Sequence, residues 1–189
     1  MRWELRWLYS MLTLLLLLPG SGICADTAST SQLRLSDRLR WVPAGAAAAY
    51  AAYRHDGTGL WQLAGEMGAT VLLTRGLKEA FNDSDWGERP DGGENAFPSG
   101  HTSMACTGGA FLGQRYGTWE AVPAYAVAAW VGYIRVEEDR HHWRDVIGGC
   151  ALAYGLSRLI VRPYADRGLS LTPLVGTDLV GLRVDLRWR

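Results

Sequence analysis

Five apolar stretches, separated by short polar or helix-breaking segments, are the feature that most limits what this chain can fold into. They are rich in alanine, leucine and glycine and ten or more residues long, which favours helices over strands. Aspartate, glycine and proline fall between them, as expected where helices end. The pattern predicts an all-α fold, a compact helical bundle of about five to six helices. The stretches are residues 44–53, 60–81, 102–116, 121–134 and 146–161.

The segments on either side of these stretches have different patterns. Residues 29–41 are polar with an apolar residue at every third or fourth position, and we assign 26–43 to a short amphipathic helix or a tether. The bundle then covers 44–165. Over 180–188 apolar residues alternate with others, which is a strand pattern. Residues 166–189 are therefore predicted to form a short C-terminal β-hairpin, either packed on the bundle or directed towards a membrane.

The N-terminus resembles an export signal. Two arginines precede an uncharged apolar run over residues 8–18, and a breaker containing proline and glycine follows the run. Ala25 completes a tolerable cleavage site, so residues 1–25 are predicted to be a signal peptide and the mature protein is expected in the periplasm. A lipoprotein acylated on Cys24 and an uncleaved anchor are the alternatives.

Charge and hydropathy argue against two broad classes of protein. The chain has 19 basic and 19 acidic side chains, so it lacks the basic footprint of a nucleic-acid-binding protein. The cleanest uncharged stretch, 121–134, would reach only about 21 Å as a helix, whereas the hydrocarbon core of a bilayer is about 30 Å thick. Glu66 and Arg158 interrupt two of the other stretches. We therefore expect a bundle that does not span a membrane, with contact at a membrane surface left open.

Removal of the signal peptide would leave two cysteines, Cys106 and Cys150, each inside a predicted helix. In an oxidising compartment they can form a disulfide between helices or remain two buried thiols, and their spacing does not decide between the two. The sequence contains no Cys-x-x-Cys pair and no Cys/His finger spacing, so structural zinc is not expected.

Two clusters of residues carry chemistry. The tetrapeptide Pro-Ser-Gly-His at residues 98–101 follows a polar, glycine-rich loop and opens a predicted helix, where free backbone N–H groups favour an anion. His141 and Asp145 are four residues apart, so on a helix the carboxylate can orient the imidazole and prepare it as a nucleophile or base. Taken singly, each cluster also fits a plain structural role: an incidental histidine at a helix start, or a solvated, charged turn.

In these motifs the sequence resembles the type 2 phosphatidic acid phosphatase superfamily, whose members include acid phosphatases, lipid phosphate phosphatases and vanadium haloperoxidases. That family's signature runs Lys-x6-Arg-Pro, then Pro-Ser-Gly-His, then Ser-Arg-x5-His-x3-Asp, and its ordered counterparts lie within residues 78–145. There are two departures. Ten residues rather than six separate Lys78 from Arg89, and Ile134 takes the place of the serine before Arg135.

The resemblance implies a metal-independent phosphatase mechanism with no cofactor. His141, oriented by Asp145, would attack phosphorus and form a phosphohistidine, while His101 protonates the leaving oxygen and later activates water. Cationic side chains and backbone N–H groups at the helix start would bind the phosphoryl oxygens. This phosphate-binding set comprises Lys78, Arg89, Ser99, Gly100 and Arg135. His142 is expected to be structural or to face substrate, and His55 to lie on the surface.

The sequence leaves the substrate open between two classes. A lipid phosphate such as phosphatidic acid, undecaprenyl diphosphate or lipid A is favoured by the family and by three tryptophans expected to be exposed, Trp41, Trp86 and Trp143. An exported nonspecific acid phosphatase acting on small phosphomonoesters is the alternative, and a phosphate- or lipid-binding protein without activity is a third hypothesis. The expected partners are thus a phosphorylated lipid or a small phosphomonoester, and no nucleic acid.

Overall fold

The computed structural model describes residues 25–164 together with two strands, 169–175 and 180–186. The signal peptide predicted for residues 1–25 lies outside the described residues apart from Ala25. Export therefore stays a prediction.

Six helices make up most of the described part of the chain, and they include the five apolar stretches to within one residue at their ends. The segment that the sequence left open between helix and tether is also helical. The predicted all-α bundle is confirmed. Its helices are α1 (Ala25–Leu39), α2 (Val42–Tyr53), α3 (Gly57–Phe81), α4 (Gly100–Arg115), α5 (Thr118–Glu137) and α6 (Trp143–Ile160).

Helix α4 is the centre of the bundle. Most of its residues are buried, and it packs against α2, α3, α5 and α6. Phe111 belongs to one core cluster, formed with residues of α2, α3 and α5. Ala105 and Cys106 pack with Val127 and Val131 of α5 in a second cluster. Because α4 is enclosed by four other helices, the position of its first turn is fixed by the core.

Two glycines of α6, Gly148 and Gly149, allow the start of α4 to approach closely. A Cβ atom at Gly149 would lie 2.8 Å from the carbonyl oxygen of Ser99, and one at Gly148 would overlap the ring of Phe97. Only glycine leaves room for the Ser99 backbone and the Phe97 ring at these separations. The segment that leads into α4 therefore rests directly on the backbone of α6.

A disulfide between Cys106 and Cys150 joins α4 to α6, with 5.2 Å between the two Cα atoms. That separation lies within the usual range for a disulfide. Of the two alternatives that the sequence left open, the structure thus has the bridge. It connects the helix that begins with the Pro-Ser-Gly-His segment to the helix that carries Asp145.

One carboxyl group of α3 is fully buried inside the bundle. Glu66 of α3 is fully buried, and neither of its carboxyl oxygens has a hydrogen-bond partner within residues 25–164. Burial raises the pKa of Glu66 to about 8, and the nearby Ser157 hydroxyl of α6 offsets this only in part. The side chain is therefore mostly neutral at pH 7.

No helix in the described part of the chain combines the length and the apolar character needed to cross a bilayer.

Beyond the helices, β1 (Leu169–Val175) and β2 (Val180–Leu186) pair antiparallel, with Leu169 opposite Leu186. The connecting residues 176–179 lie outside the described residues, and the packing of the predicted hairpin on the bundle stays a prediction.

Candidate active site

The first turns of α4 and α6 meet at one end of the bundle. The backbone N–H of Ser99 donates to the carbonyl oxygen of Asp145 at 2.9 Å, and the buried Ser99 hydroxyl lies 3.1 Å from that of Thr102. The Ser99 N–H is thus occupied by protein, and the binding of a phosphoryl oxygen by Ser99 and Gly100 stays a prediction. The N–H groups of the first helical residues, from Gly100 onward, have no acceptor within the helix and remain the donors at this position.

His141 and Asp145 are both buried at the start of α6, with Nδ1 of His141 3.4 Å from Oδ2 of Asp145. At this distance the contact is electrostatic rather than a short hydrogen bond. The same oxygen accepts a hydrogen bond of 2.9 Å from the backbone N–H of His142, which closes the first turn of the helix. Burial alone would raise the pKa of Asp145, but the interactions with His141 and His142 outweigh it and lower the pKa. Asp145 is therefore an ionised group facing Nδ1 of His141.

The environment of His141 suits a nucleophile. Burial lowers its pKa below the ordinary value, the positive charges of Lys78 and Arg135 act in the same direction, and Asp145 opposes them. A neutral imidazole whose Nδ1 faces a carboxylate keeps a lone pair on Nε2. The neighbouring His142 is partly exposed and takes part in the helix-start turn, whereas His55 is exposed at the end of α2.

His101 lies between two charged groups from the N-terminal part of the chain. Its Nε2 is 2.7 Å from Oδ1 of Asp37, on α1, and 3.0 Å from Nη1 of Arg40, just after α1. Oδ1 of Asp37 also lies 3.5 Å from Nη1 of Arg135, a buried cation in the last turn of α5. Burial and the charges of Arg135 and Arg40 lower the pKa of His101 to about 4, and Asp37 opposes the change. The end of α1 is thus part of the site.

Lys78 reaches the same region from the end of α3. Its Nζ donates to the carbonyl oxygens of Asn95 and Ala96, the latter at 3.3 Å. A Cβ atom on Gly100 would lie 3.9 Å from Cε of Lys78, so the side chain passes beside the start of α4. Burial, with the charge of Arg89, lowers the pKa of Lys78 to about 8. The side chain remains mostly a cation at pH 7.

The longer loop between Lys78 and Arg89 keeps both residues at the site. The backbone N–H of Ala96 donates to the carbonyl oxygen of Gly87 at 2.8 Å, which closes the loop on itself before the Pro-Ser-Gly-His segment. The positive charge of Arg89 lowers the pKa of Lys78 and of Arg135, so Arg89 lies close enough to act on both cations. The extra residues therefore enlarge the loop without removing either cation.

Three arginines of the site have donors available to a ligand. Arg40, Arg89 and Arg135 each bury an Nε–H group that has no hydrogen-bond partner among the residues the structure describes. Buried polar groups in native proteins nearly always have a partner, so unpaired donors of this kind point to a bound anion as their natural complement. Guanidinium groups and a lysine ammonium are the side chains that bind tetrahedral oxyanions best.

All eight residues predicted for the site lie at this end of the bundle, linked by the contacts above or, for Arg89, by its charge interaction with Lys78 and Arg135. They are His141, His101, Asp145, Lys78, Arg89, Ser99, Gly100 and Arg135. Ile134, in place of the family's serine, is 2% exposed and packs into the bundle, so that departure removes no charged group from the site. Asp37 and Arg40 were missed, because nothing in the pattern of the 26–43 segment distinguishes them from other charged residues of an amphipathic helix.

Among the known proteins that this chain resembles in sequence or in structure are three phosphatases. The lipid A 1-phosphatase of Helicobacter pylori is 42% identical over 82 residues, which cover 41% of this chain and 43% of that protein. The lipid A 4'-phosphatase of H. pylori is 29% identical over 159 residues, 78% of each chain. The crystal structure of a transmembrane PAP2-type phosphatidylglycerolphosphate phosphatase from Bacillus subtilis matches with a TM-score of 0.53 at 25% identity, covering 75% of this chain and 77% of that one.

A family model also matches the chain. It is that of the PAP2 superfamily and covers residues 59–168, more than half of the 189 residues. The match spans the part of the chain that holds all eight predicted site residues, and it begins after Asp37 and Arg40. The chain spans less than half the length of the 1-phosphatase it resembles. This chain belongs to the PAP2 superfamily.

Proposed function

We propose that this protein is an exported, metal-independent phosphatase that hydrolyses phosphomonoesters or diphosphates of membrane lipids, with lipids of the lipid A type as the first substrates to test. The observation that carries the proposal is the buried His141–Asp145 pair beside a cluster of cations. A carboxylate behind a neutral imidazole prepares a nucleophile, and unpaired guanidinium donors offer a place for the phosphoryl group.

In the first chemical step Nε2 of His141 attacks phosphorus, and the bond between phosphorus and the leaving oxygen breaks. The new P–N bond makes a phosphohistidine. The electron pair of the broken bond stays on the leaving oxygen, which takes a proton from the imidazolium of His101. The negative charge of the bound phosphate favours this imidazolium, because burial and the charges of Arg135 and Arg40 lower the His101 pKa and the phosphate opposes those charges. Asp145 stabilises the positive charge that develops on the His141 ring, as a buried carboxylate does for the histidine of a hydrolase triad.

In the second step a water molecule attacks phosphorus, and the now neutral His101 takes its proton. The P–N bond breaks, its electron pair returns to Nε2 of His141, and inorganic phosphate leaves. Lys78, Arg89 and Arg135 bind the phosphoryl oxygens through both steps. Catalysis of phosphoryl transfer is mainly positioning and charge stabilisation, which these cations supply without a metal ion.

A lipid substrate is supported by the surroundings of the site. Trp41, Trp86 and Trp143 are 47%, 43% and 52% exposed, as predicted from the sequence. Trp41 follows Arg40, Trp143 follows His142, and Trp86 is stacked by Arg144, whose Nε lies 3.7 Å from Oδ1 of Asp145. Exposed tryptophans favour the boundary between water and lipid, so tryptophans around a phosphate site suit a headgroup held at a membrane surface.

The relatives support the same substrate class. Two of them are named as phosphatases of lipid A, and the solved structure is that of a phosphatidylglycerolphosphate phosphatase. These substrates share a phosphate group at the polar end of an acylated lipid. The phosphate would enter the cation cluster while the acyl chains stay in the membrane.

Phosphate release by the purified protein in the presence of EDTA tests the proposal. The substrates are lipid A and short-chain phosphatidic acid in detergent, with p-nitrophenyl phosphate as a water-soluble ester. We expect release from the lipids, loss of activity in His141→Asn, and normal activity in the matched control His55→Asn. Asparagine suits the control because His55 has a φ of +52°.

Three outcomes would contradict the proposal. Equal or better turnover of p-nitrophenyl phosphate than of the lipids would favour a nonspecific acid phosphatase. Activity that EDTA abolishes but that survives in His141→Asn would remove the phosphohistidine mechanism. No release from any substrate would favour a binding protein.

A further inference from the structure

One imidazole nitrogen of the site faces two partners of opposite kind. Nε2 of His101 lies 2.7 Å from a carboxylate oxygen of Asp37 and 3.0 Å from a guanidinium nitrogen of Arg40. The carboxylate can only accept a hydrogen bond, and the guanidinium can only donate one. A single imidazole nitrogen cannot donate and accept at once. The two contacts therefore serve two different protonation states of His101.

Each state corresponds to one half of an acid–base cycle. With a proton on Nε2, His101 donates to Asp37, and the negative charge stabilises an imidazolium. Without that proton, the lone pair of Nε2 accepts from Arg40, and the positive charge disfavours an imidazolium. A residue that must first give a proton and later take one needs both states to be accessible.

We propose that Asp37 and Arg40 are positioning residues for His101, with Asp37 holding the ring when Nε2 carries a proton and Arg40 holding it when Nε2 does not. The proposal rests on the acid–base role given to His101 in the proposed function. It adds a part of the site that the matched region of the PAP2 superfamily, residues 59–168, does not contain. The end of α1 would then be part of the catalytic machinery rather than a tether.

Packing fixes these two residues where they are. Leu39, between them, packs against the core cluster that contains Ala105 and Val131. The hydroxyl of Ser36, just before them, is buried and donates to the carbonyl oxygen of Leu33 at 2.8 Å. The end of α1 is thus anchored to the bundle on both sides of Asp37.

Three charged groups act on His101. Asp37 and Arg40 come from the α1 side, and Arg135 comes from α5. Arg135 also contacts Asp37, at 3.5 Å, so Asp37 neutralises part of its effect. Removing Asp37 therefore leaves His101 with two cations, whereas removing Arg40 leaves it with one cation and one carboxylate. The two changes should therefore shift the pKa of His101 in opposite directions.

The test is a pH titration of the His101 ring by NMR in wild-type protein, Asp37→Asn and Arg40→Gln. The full sequence has 4 histidines, so the ring signals can be assigned with His101→Gln. We expect the His101 pKa to fall by about half a unit or more in Asp37→Asn and to rise by a similar amount in Arg40→Gln. The matched control is Arg38→Gln, an exposed arginine of the same helix, which should leave the titration unchanged.

Kinetics give a second reading in the same variants. The alkaline limb of the pH profile of kcat/KM for short-chain phosphatidic acid should move to lower pH in Asp37→Asn and to higher pH in Arg40→Gln. The effect should be smaller for p-nitrophenyl phosphate, because its leaving group needs little protonation. Thermal melts of each variant show whether it is folded.

The outcomes separate this inference from the proposed function. Opposite NMR shifts support the pairing even if no phosphatase activity is found, in which case only the proposed function fails. Folded variants with unshifted titrations, or with shifts in the same direction, overturn the inference. A lower inhibition constant for inorganic phosphate in Asp37→Asn without a titration shift would do so too, since Asp37 would then merely occupy the phosphate position. A higher KM in Arg40→Gln without a titration shift would overturn the role given to Arg40, which would then be a phosphate ligand only.

Discussion

The buried carboxylate of Asp145 faces one nitrogen of the His141 ring. A carboxylate with no solvent exposure costs free energy unless it is paired, and here it is held by His141 and by the backbone N–H of His142. Its charge favours a proton on Nδ1 of His141, the nitrogen that faces it. One acidic residue therefore shapes the first turn of α6 and, in the proposed mechanism, leaves Nε2 of His141 as the nitrogen that would attack phosphorus.

Asp145→Asn should show this role directly. The variant keeps the size of the side chain but loses the charge, so His141 is no longer held in the reactive tautomer. We expect kcat to fall about 10³-fold or more with a smaller change in KM. Steady-state kinetics on short-chain phosphatidic acid measure both quantities. Asp91→Asn, which changes an exposed carboxylate paired with Arg140, is the control, and an equal loss in both variants would count against a specific role for Asp145.

Glu66 makes stability depend on pH. The unfolded chain loses the proton of this group near its ordinary pKa of 4.5, and the folded chain holds it up to about 8. Because the folded state binds the extra proton between these values, the free energy of unfolding falls as the pH rises through this range. Glu66→Gln stays neutral at every pH, so its melting temperature should improve relative to wild type as the pH increases from about 5 to about 9.

Thermal melts across that pH range test the prediction. Glu79→Gln, an exposed change on the same helix, is the control. A constant difference in melting temperature between Glu66→Gln and wild type at all pH values would mean that Glu66 does not titrate in this way.

The site could be predicted from the sequence only where its contacts are local or belong to a known motif. His141 and Asp145 share one helix turn, so their spacing already implied a contact. His101 contacts Asp37 and Arg40 across 64 and 61 residues, and no local pattern encodes such a pairing. The hydrogen bond of the Ser99 N–H depends on the docking of α4 on α6, which spacing along the chain does not show either.

At the scale of helices, glycines and a disulfide set how α4 meets α6. Gly148 and Gly149 let the segment before α4 rest on the α6 backbone, and the Cys106–Cys150 bridge joins the two helices further along. The sequence predicted the helices because their apolar stretches are long and end at breakers. It left the bridge open, because the distance between two cysteines on separate helices depends on tertiary packing.

Removing the bridge should lower stability. The cysteines are 44 residues apart, and closing a loop of that length stabilises the folded state by about 4 kcal/mol in the chain-entropy description. For a domain of this size that corresponds to a fall of about 10 °C in melting temperature. Thermal melts of Cys106→Ser/Cys150→Ser and of wild type with and without reductant measure it. The double variant should be insensitive to reductant, and a wild type equally insensitive would argue against the bridge.

At the scale of the whole molecule, exposed tryptophans lie at both ends of the bundle, and only some of them are next to the site. Trp41, Trp86 and Trp143 adjoin the site residues, whereas Trp61 and Trp119 lie near the starts of α3 and α5, at the opposite end of the bundle. With balanced charge over the chain, attraction to a membrane would come from these rings and from the cations of the site rather than from a basic surface.

Replacing the three tryptophans near the site with alanine should separate lipid from water-soluble substrates. We expect turnover of a lipid phosphate in vesicles to fall about tenfold or more, because each ring lost weakens contact with the bilayer interface. The kcat for p-nitrophenyl phosphate should be unchanged. The matched control, Trp61→Ala/Trp119→Ala, removes two exposed rings from the other end. Equal effects from both sets would show that the site-side tryptophans have no special part in lipid access.

The most direct test of the central claim is to trap the phosphoenzyme. Wild-type protein is mixed with ³²P-labelled lipid phosphate, quenched in alkali, where a phosphohistidine survives, and digested to locate the label. We expect alkali-stable, acid-labile label on the peptide that contains His141, and none in His141→Asn. Steady turnover without any trapped label, or label that persists in His141→Asn, would contradict the account.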